Sequence, residues 1–179
     1  MLLLIVALIV LAIIFVTFSS KVSAIPFFPS NPKDMSQIIE GLDLKNDQVV
    51  LDLGAGTGTV IFAAAREAHK KGLTTKFIAI DINFILVGIM WFHNLFHPNR
   101  KNIQVVMADL FKYDYEKATK GFKNVTYFMY VSPWFTDPMA DLVKNIGRNI
   151  HFVTYFYSIK NLKEKKRLEG LHSTFIYEV

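Results

Sequence analysis

An apolar run from Val49 to Leu53 breaks directly into Gly54-Ala55-Gly56-Thr57-Gly58 and then into a helix-like stretch from Thr59 to Lys71. Glycine lacks a Cβ and tolerates positive φ, so glycines at alternate positions permit a tight strand-to-helix turn that a ligand can approach closely. The helix that follows aims free N–H groups into the space above the strand end. Open α/β sheets bind ligands in that crevice, outside the C-terminal ends of the strands. The rest of the chain agrees with such a sheet. Further strands are predicted at 76–82, 103–108, 125–131, 150–156 and 174–179, with helices at 34–42, 84–96 and 138–146 and a basic helical piece at 160–168. Near-continuous apolar strands alternating with helices predict an α/β fold, a mostly parallel sheet covered on both faces.

Composition separates this domain from what precedes it. The chain has 179 residues, 52% of them hydrophobic, yet from Met1 to Phe18 only Thr17 is polar and the first charge is Lys21. Eighteen helical residues rise about 27 Å, close to one hydrocarbon thickness. A signal peptide would carry a basic n-region, which is missing, although Val22-Ser23-Ala24 has the form of a cleavage site. The other reading is a retained transmembrane helix whose flanking Lys21 places the domain on the cytoplasmic, or matrix-like, side. Ile25 to Pro32 holds three prolines and reads as an extended connector. The expected organisation is an anchor at 1–20, a connector at 21–33 and one folded domain at 34–179. No second uncharged stretch approaches the length of a span, which excludes a multi-span protein. With no cysteine, disulfides, zinc–thiolate sites and cysteine nucleophiles are excluded.

The spacing G-x-G-x-G at Gly54, Gly56 and Gly58, with Asp52 two residues before the first glycine, resembles the first motif of the class I (seven-strand) S-adenosylmethionine-dependent methyltransferases. LDLGAGTG at Leu51 to Gly58 matches that motif throughout. Asp81 ends the next strand, 23 residues beyond Gly58, and Asp109 follows the third strand. The resemblance implies a Rossmann-like sheet of six to seven strands and S-adenosylmethionine as cofactor. It also implies roles: the three glycines frame the cofactor, Asp52 fixes its methionine end, Asp81 the ribose hydroxyls and Asp109 the adenine amino group. A sulfonium with a ribose diol and an exocyclic amine asks for carboxylates and close backbone, not for a phosphate cradle. The family sheet closes with an antiparallel pair. Only six strands are predicted here, and the penultimate one, between Phe156 and Thr174, is expected to be absent or very short.

For the acceptor, the single span, the Pro26-Phe27-Phe28-Pro29-Ser30 connector and the run Tyr127 to Pro133 resemble the membrane-anchored protein-lysine methyltransferases of the ATP synthase c-subunit and adenine nucleotide translocase type. That resemblance implies an N-methyltransferase with a protein substrate in or near the membrane and no nucleic-acid partner. Ser132-Pro133-Trp134 follows the fourth strand, where the family meets its acceptor, and these three are the candidate catalytic residues. Methyltransferases of adenine or glutamine amino groups carry Asn, Asp or Ser, then Pro-Pro, then an aromatic at that place; Trp134 replaces the second proline here. Two other readings stay open: a small lipophilic acceptor such as a quinone or lipid, and a non-catalytic module that keeps the pocket. His93 and His97, spaced i, i+4, have the form of a metal pair, but no third ligand is apparent and no metal is expected. Asn124-Val125-Thr126 is a glycosylation sequon in form only, since it enters a predicted buried strand. The Lys160 to Leu168 piece reads as a solvated basic face, or as a face lying on anionic headgroups.

Overall fold

The computed structural model describes residues 3–11 and 28–179. The apolar runs become strands and the amphipathic stretches helices, in the order α1 (Met35–Gly41), β1 (Gln48–Leu53), α2 (Thr59–Lys70), β2 (Lys76–Asp81), α3 (Phe84–Leu95), β3 (Ile103–Met107), α4 (Tyr115–Thr119), β4 (Asn124–Met129), α5 (Pro133–Val143), β5 (Ile150–Tyr155), β6 (Lys166–Leu168) and β7 (Thr174–Glu178). They form one seven-stranded sheet of order β3-β2-β1-β4-β5-β7-β6. The first five strands are parallel, and β7 runs antiparallel to both its neighbours.

All six residues of β1 are buried because the strand is central and covered on both faces. Val49, Leu51 and Leu53 pack with Tyr115 of α4 and with Met139 and Val143 of α5. On the other face, Val50 packs with Ile38 of α1, Ile61 and Ala65 of α2 and Met90 of α3. The chain leaves β1 toward β2 and β3 on one side, then returns to place β4 on the other. The C-terminal ends of β1 and β4 therefore flank a topological switch point, the place where such sheets open a crevice.

Two expectations are corrected. The basic piece at 160–168 is not a helix: its last residues form β6, the penultimate strand, with Arg167 opposite Phe175. The unsatisfied edge of β7 offers more to this segment than local helix preference does. Its cations face acids, with Lys165 on Glu178, Lys166 on Glu40 at 2.9 Å and Arg167 on Glu164 at 2.9 Å. The second correction concerns the transmembrane anchor and the single-pass location built on it. Residues 3–11 are helical and exposed. Among the described residues no helix is long and apolar enough to cross a membrane. Residues 12–27, the remainder of that segment and most of the predicted connector, lie outside the described residues.

The carboxylate of Asp34, at the head of α1, ties the two ends of the domain together. It accepts from the Tyr155 hydroxyl at 2.6 Å and from the backbone N–H groups of Leu171 and His172 at 2.8 and 3.1 Å. Burial pushes its pKa up, but these hydrogen bonds outweigh burial and hold it below the usual carboxylate range. Asp34→Ala leaves a buried phenol and two N–H groups without their acceptor. The expected loss is on the order of 2–3 kcal/mol in urea unfolding; a change near zero would show that the β6–β7 connection does not depend on this carboxylate.

Candidate active site

The glycine loop turns out of β1 with Gly54, Gly56 and Gly58 at φ of 92°, 58° and 79°. Gly54 and Ala55 donate their N–H groups to the Ile80 carbonyl at 3.0 and 2.9 Å, which locks the loop to β2. A Cβ on Gly58 would stand 2.5 Å from Phe62 Cε2, and one on Gly54 3.1 Å from Val131 Cγ1. Gly58 is thus favoured by conformation and by space, and Gly54 by conformation.

Asp81 completes the turn. Its Oδ2 accepts from the Gly56 N–H at 2.8 Å and its Oδ1 from the Asn83 N–H at 2.8 Å. Asn83 in turn caps α3, its Oδ1 accepting from Ile85 N–H at 3.0 Å. Asp52 lies beneath, 3% exposed, and lines a small pocket with Gly54, Gly56, Thr59, Phe28 and Tyr130. Burial, with the Asp81 charge adding to it, pushes the Asp52 carboxyl up to about 8. Asp81 is also raised, chiefly by burial, against which its backbone hydrogen bonds act.

Of the predicted residues, Asp52, Gly54 and Gly56 line this pocket, Asp81 adjoins it through its bond to Gly56, and Asp109, Ser132, Pro133 and Trp134 lie outside it. Asp109 is half-buried after β3, its Oδ1 accepting from Phe111 N–H at 3.0 Å and its Oδ2 3.7 Å from Lys112 Nζ. Ser132, Pro133 and Trp134 open α5 at the end of β4, and none of the three lines the pocket. Ser132 is the cap residue, its carbonyl accepting from Phe135 N–H at 2.8 Å. Pro133 takes the first helical turn, a position that suits proline in any helix. Trp134 is 77% exposed. His97 is buried, accepting from Asn99 N–H on Nδ1 at 3.1 Å, so that its Nε2 donates to the Phe62 carbonyl at 3.1 Å. It is thus a structural pin of α3 on α2, and among the described residues no cluster of ligand types forms a metal site.

Sequence reasoning passes over Asn83, Tyr130 and Phe156. Asn83 carried a signal, a capping residue directly before an apolar helix. Phe156 holds φ of 72° at the end of β5, where its ring meets His172 at 4.5 Å and Tyr130 at 6.5 Å. A bulky residue in that region is a genuine outlier, and no local pattern announces it.

No protein-family model matches the chain. By sequence it is 30% identical over 90 residues to a probable ribosomal RNA small subunit methyltransferase A of Methanosphaera stadtmanae, covering 50% of this chain and 31% of that protein. It is 28% identical over 104 residues to the ribosomal RNA small subunit methyltransferase A of Alkaliphilus metalliredigens, covering 53% and 33%. The chain thus spans about a third of the length of these curated relatives. By structure it is similar to an RNA methyltransferase from Salinibacter ruber in complex with S-adenosyl-L-homocysteine, with a TM-score of 0.70, 16% identity, and 85% of this chain and 94% of that one covered. The fold is that of the class I S-adenosylmethionine-dependent methyltransferases. Relatives by sequence and by structure together support a methyltransferase that uses S-adenosylmethionine. Its residues fit that cofactor: carboxylates at two strand ends, a loop whose backbone holds positive φ at Gly54, Gly56 and Gly58, and a helix N-terminus facing the crevice.

These relatives also overturn the expectation of a protein acceptor and no nucleic-acid partner, since the sequence relatives are ribosomal RNA methyltransferases. The features that suggested the lysine enzymes have plainer causes. The proline after β4 is a helix start, and Phe28, Pro29 and Ser30 are walls of the pocket.

Asp52 makes the native state pH-sensitive with a definite sign. Its folded pKa of about 8 lies above the unfolded value of about 3.9. The native state then holds a proton that the unfolded chain releases, so stability falls as pH rises between those values, by at most about 1.4 kcal/mol per unit. Urea unfolding from about pH 5 to pH 8 should show this decline, and Asp52→Asn should flatten it and be the more stable form at about pH 8. Parallel profiles for the two proteins would refute the assignment.

Proposed function

We propose that this chain is an S-adenosylmethionine-dependent methyltransferase acting on a base nitrogen of RNA. The observation that carries the reading is the Asp81 carboxylate, fixed by the Gly56 and Asn83 N–H groups at the rim of the switch-point crevice. An acid so oriented, beside a glycine loop, suits a ribose diol. Asp52 would hold the amino end of the methionine portion, Asp109 the adenine amine, and Gly54, Gly56 and Gly58 let the backbone approach. When bound, the cofactor supplies an electrophilic methyl group.

The chain's own contribution is then chiefly positioning and exclusion of water, which together account for a large share of such barriers. Ser132, Pro133 and Trp134 would receive the acceptor. The exposed Trp134 ring offers a stacking surface of the kind that flipped or single-stranded bases use. Tyr130 and Phe28 would close the pocket side and Phe156 the β5 side. The names of the sequence relatives and a net charge of +5 support RNA as the acceptor class.

The test pairs one binding and one transfer measurement. Asp81→Ala should lower affinity for S-adenosyl-L-homocysteine at least tenfold by calorimetry while its circular dichroism matches the parent's. The parent, incubated with methyl-labelled cofactor and total RNA, should place label in nuclease-sensitive material, and Trp134→Ala should reduce that labelling with little effect on cofactor affinity. Unchanged binding by Asp81→Ala would sink the cofactor assignment. Label in protein or in an organic extract, with none in RNA, would sink the acceptor assignment.

A further inference from the structure

The strand order obliges the connection from β3 to β4 to cross the face of β2 and β1. It does so with little chain and a single five-residue helix. That helix packs on the β4 side, the Tyr115 ring meeting Tyr127 at 6.1 Å and its hydroxyl donating to the Leu110 carbonyl at 2.8 Å. The outer part of the same face, where Ile78 stands opposite Gln104, is left as an open groove of about 850 Å3.

The groove has a marked chemical character. Lys76, Lys101, Lys112 and Lys117 line it, all exposed, and the half-buried rings of Tyr113 and Phe122 lie between them. Its two acids have local duties. Asp114 accepts from the Lys117 N–H at 3.0 Å as the cap of α4, and Asp109 holds its own turn and Lys112. Lys76 donates to Asn102 Oδ1 at 2.5 Å. Among the described residues no acid pairs with Lys101 or Lys117. Cations interleaved with aromatic rings along an open channel form the pattern that holds single-stranded nucleic acid, charge tracking the backbone and rings stacking bases. At its upper end the groove reaches Ala108 and Asp109, where the proposed adenine site begins.

We propose that this groove binds a single-stranded segment of RNA outside the methylation site, its phosphates on Lys101 and Lys117 and its bases against Tyr113 and Phe122. The proposal rests on the reading of the chain as an RNA methyltransferase. It places the RNA on the β2–β3 side of the domain, in a groove that Trp134 does not line.

The experiment is fluorescence anisotropy with a labelled oligouridine of about 12 nucleotides at several salt concentrations. Lys101→Glu/Lys117→Glu should weaken binding at least tenfold and reduce the magnitude of the salt slope by about 1.4, two contacts at about 0.7 each. Lys101→Arg/Lys117→Arg should bind as the parent does. Calorimetry with S-adenosyl-L-homocysteine checks that each variant is folded; if the glutamates unfold it, Lys101→Gln/Lys117→Gln carries the same expectation for the slope. Equal affinity and slope in parent and variants would overturn the groove while leaving the RNA reading intact. A parent that binds no RNA would overturn both. A parent that binds polyglutamate and not RNA would give the groove to an acidic protein and overturn the proposal.

Discussion

Asp52 and Asp81, two carboxyl groups at the ends of neighbouring strands, set the terms for the surrounding structure. Each is buried at the end of a central strand, burial raises the cost of ionising both, and the Asp81 charge adds to that cost at Asp52. The arrangement is tolerable because Asp81 is met by two N–H groups, one from the glycine loop and one from the cap of α3. That requirement fixes the loop's path, and the path takes positive φ at three alternate glycines. It also fixes where α3 starts. Much of the local geometry is therefore the solution to one electrostatic problem, how to keep acid at the mouth of an apolar sheet.

Much of this was legible from the chain alone. The strands around the switch point announce themselves as apolar runs, because a strand buried on both faces leaves no polar alternation to misread. The loop is legible because positive φ at alternate positions favours glycine. What could not be read depends on distant partners. The strand β6 is three residues of charged sequence that pair only because β7 presents an edge. The start of α5 was placed five residues late, since Trp134 and Phe135 extend the apolar run of β4 and Pro138 imitates a helix start. The bond from Tyr155 to Asp34 joins residues 121 apart in the chain. The membrane reading rests on apolar composition over eighteen residues, of which 3–11 are described and helical, and among the described residues no helix is long and apolar enough to cross a membrane.

The two faces of the sheet divide the work between them. The α1–α2–α3 face is densely packed, and it is against this face that Phe62, His93 and His97 brace the glycine loop. The opposite face is only partly covered, because the β3–β4 crossover is short. Chemistry at the strand ends thus sits over a rigid half, and an open channel lies over the other.

The margins of the sheet have a consequence for the life of the protein in a crowded solution. At one border β3 pairs only with β2, and its Val105 and Ile103 carbonyls accept from Trp91 Nε1 and Asn94 Nδ2 at 3.3 and 3.4 Å. At the other border stands β6, too short and too cationic to serve as a template. A parallel sheet of this hydrophobicity is a standing invitation to strand addition and fibril growth, and here both doors are closed by side chains rather than by further fold.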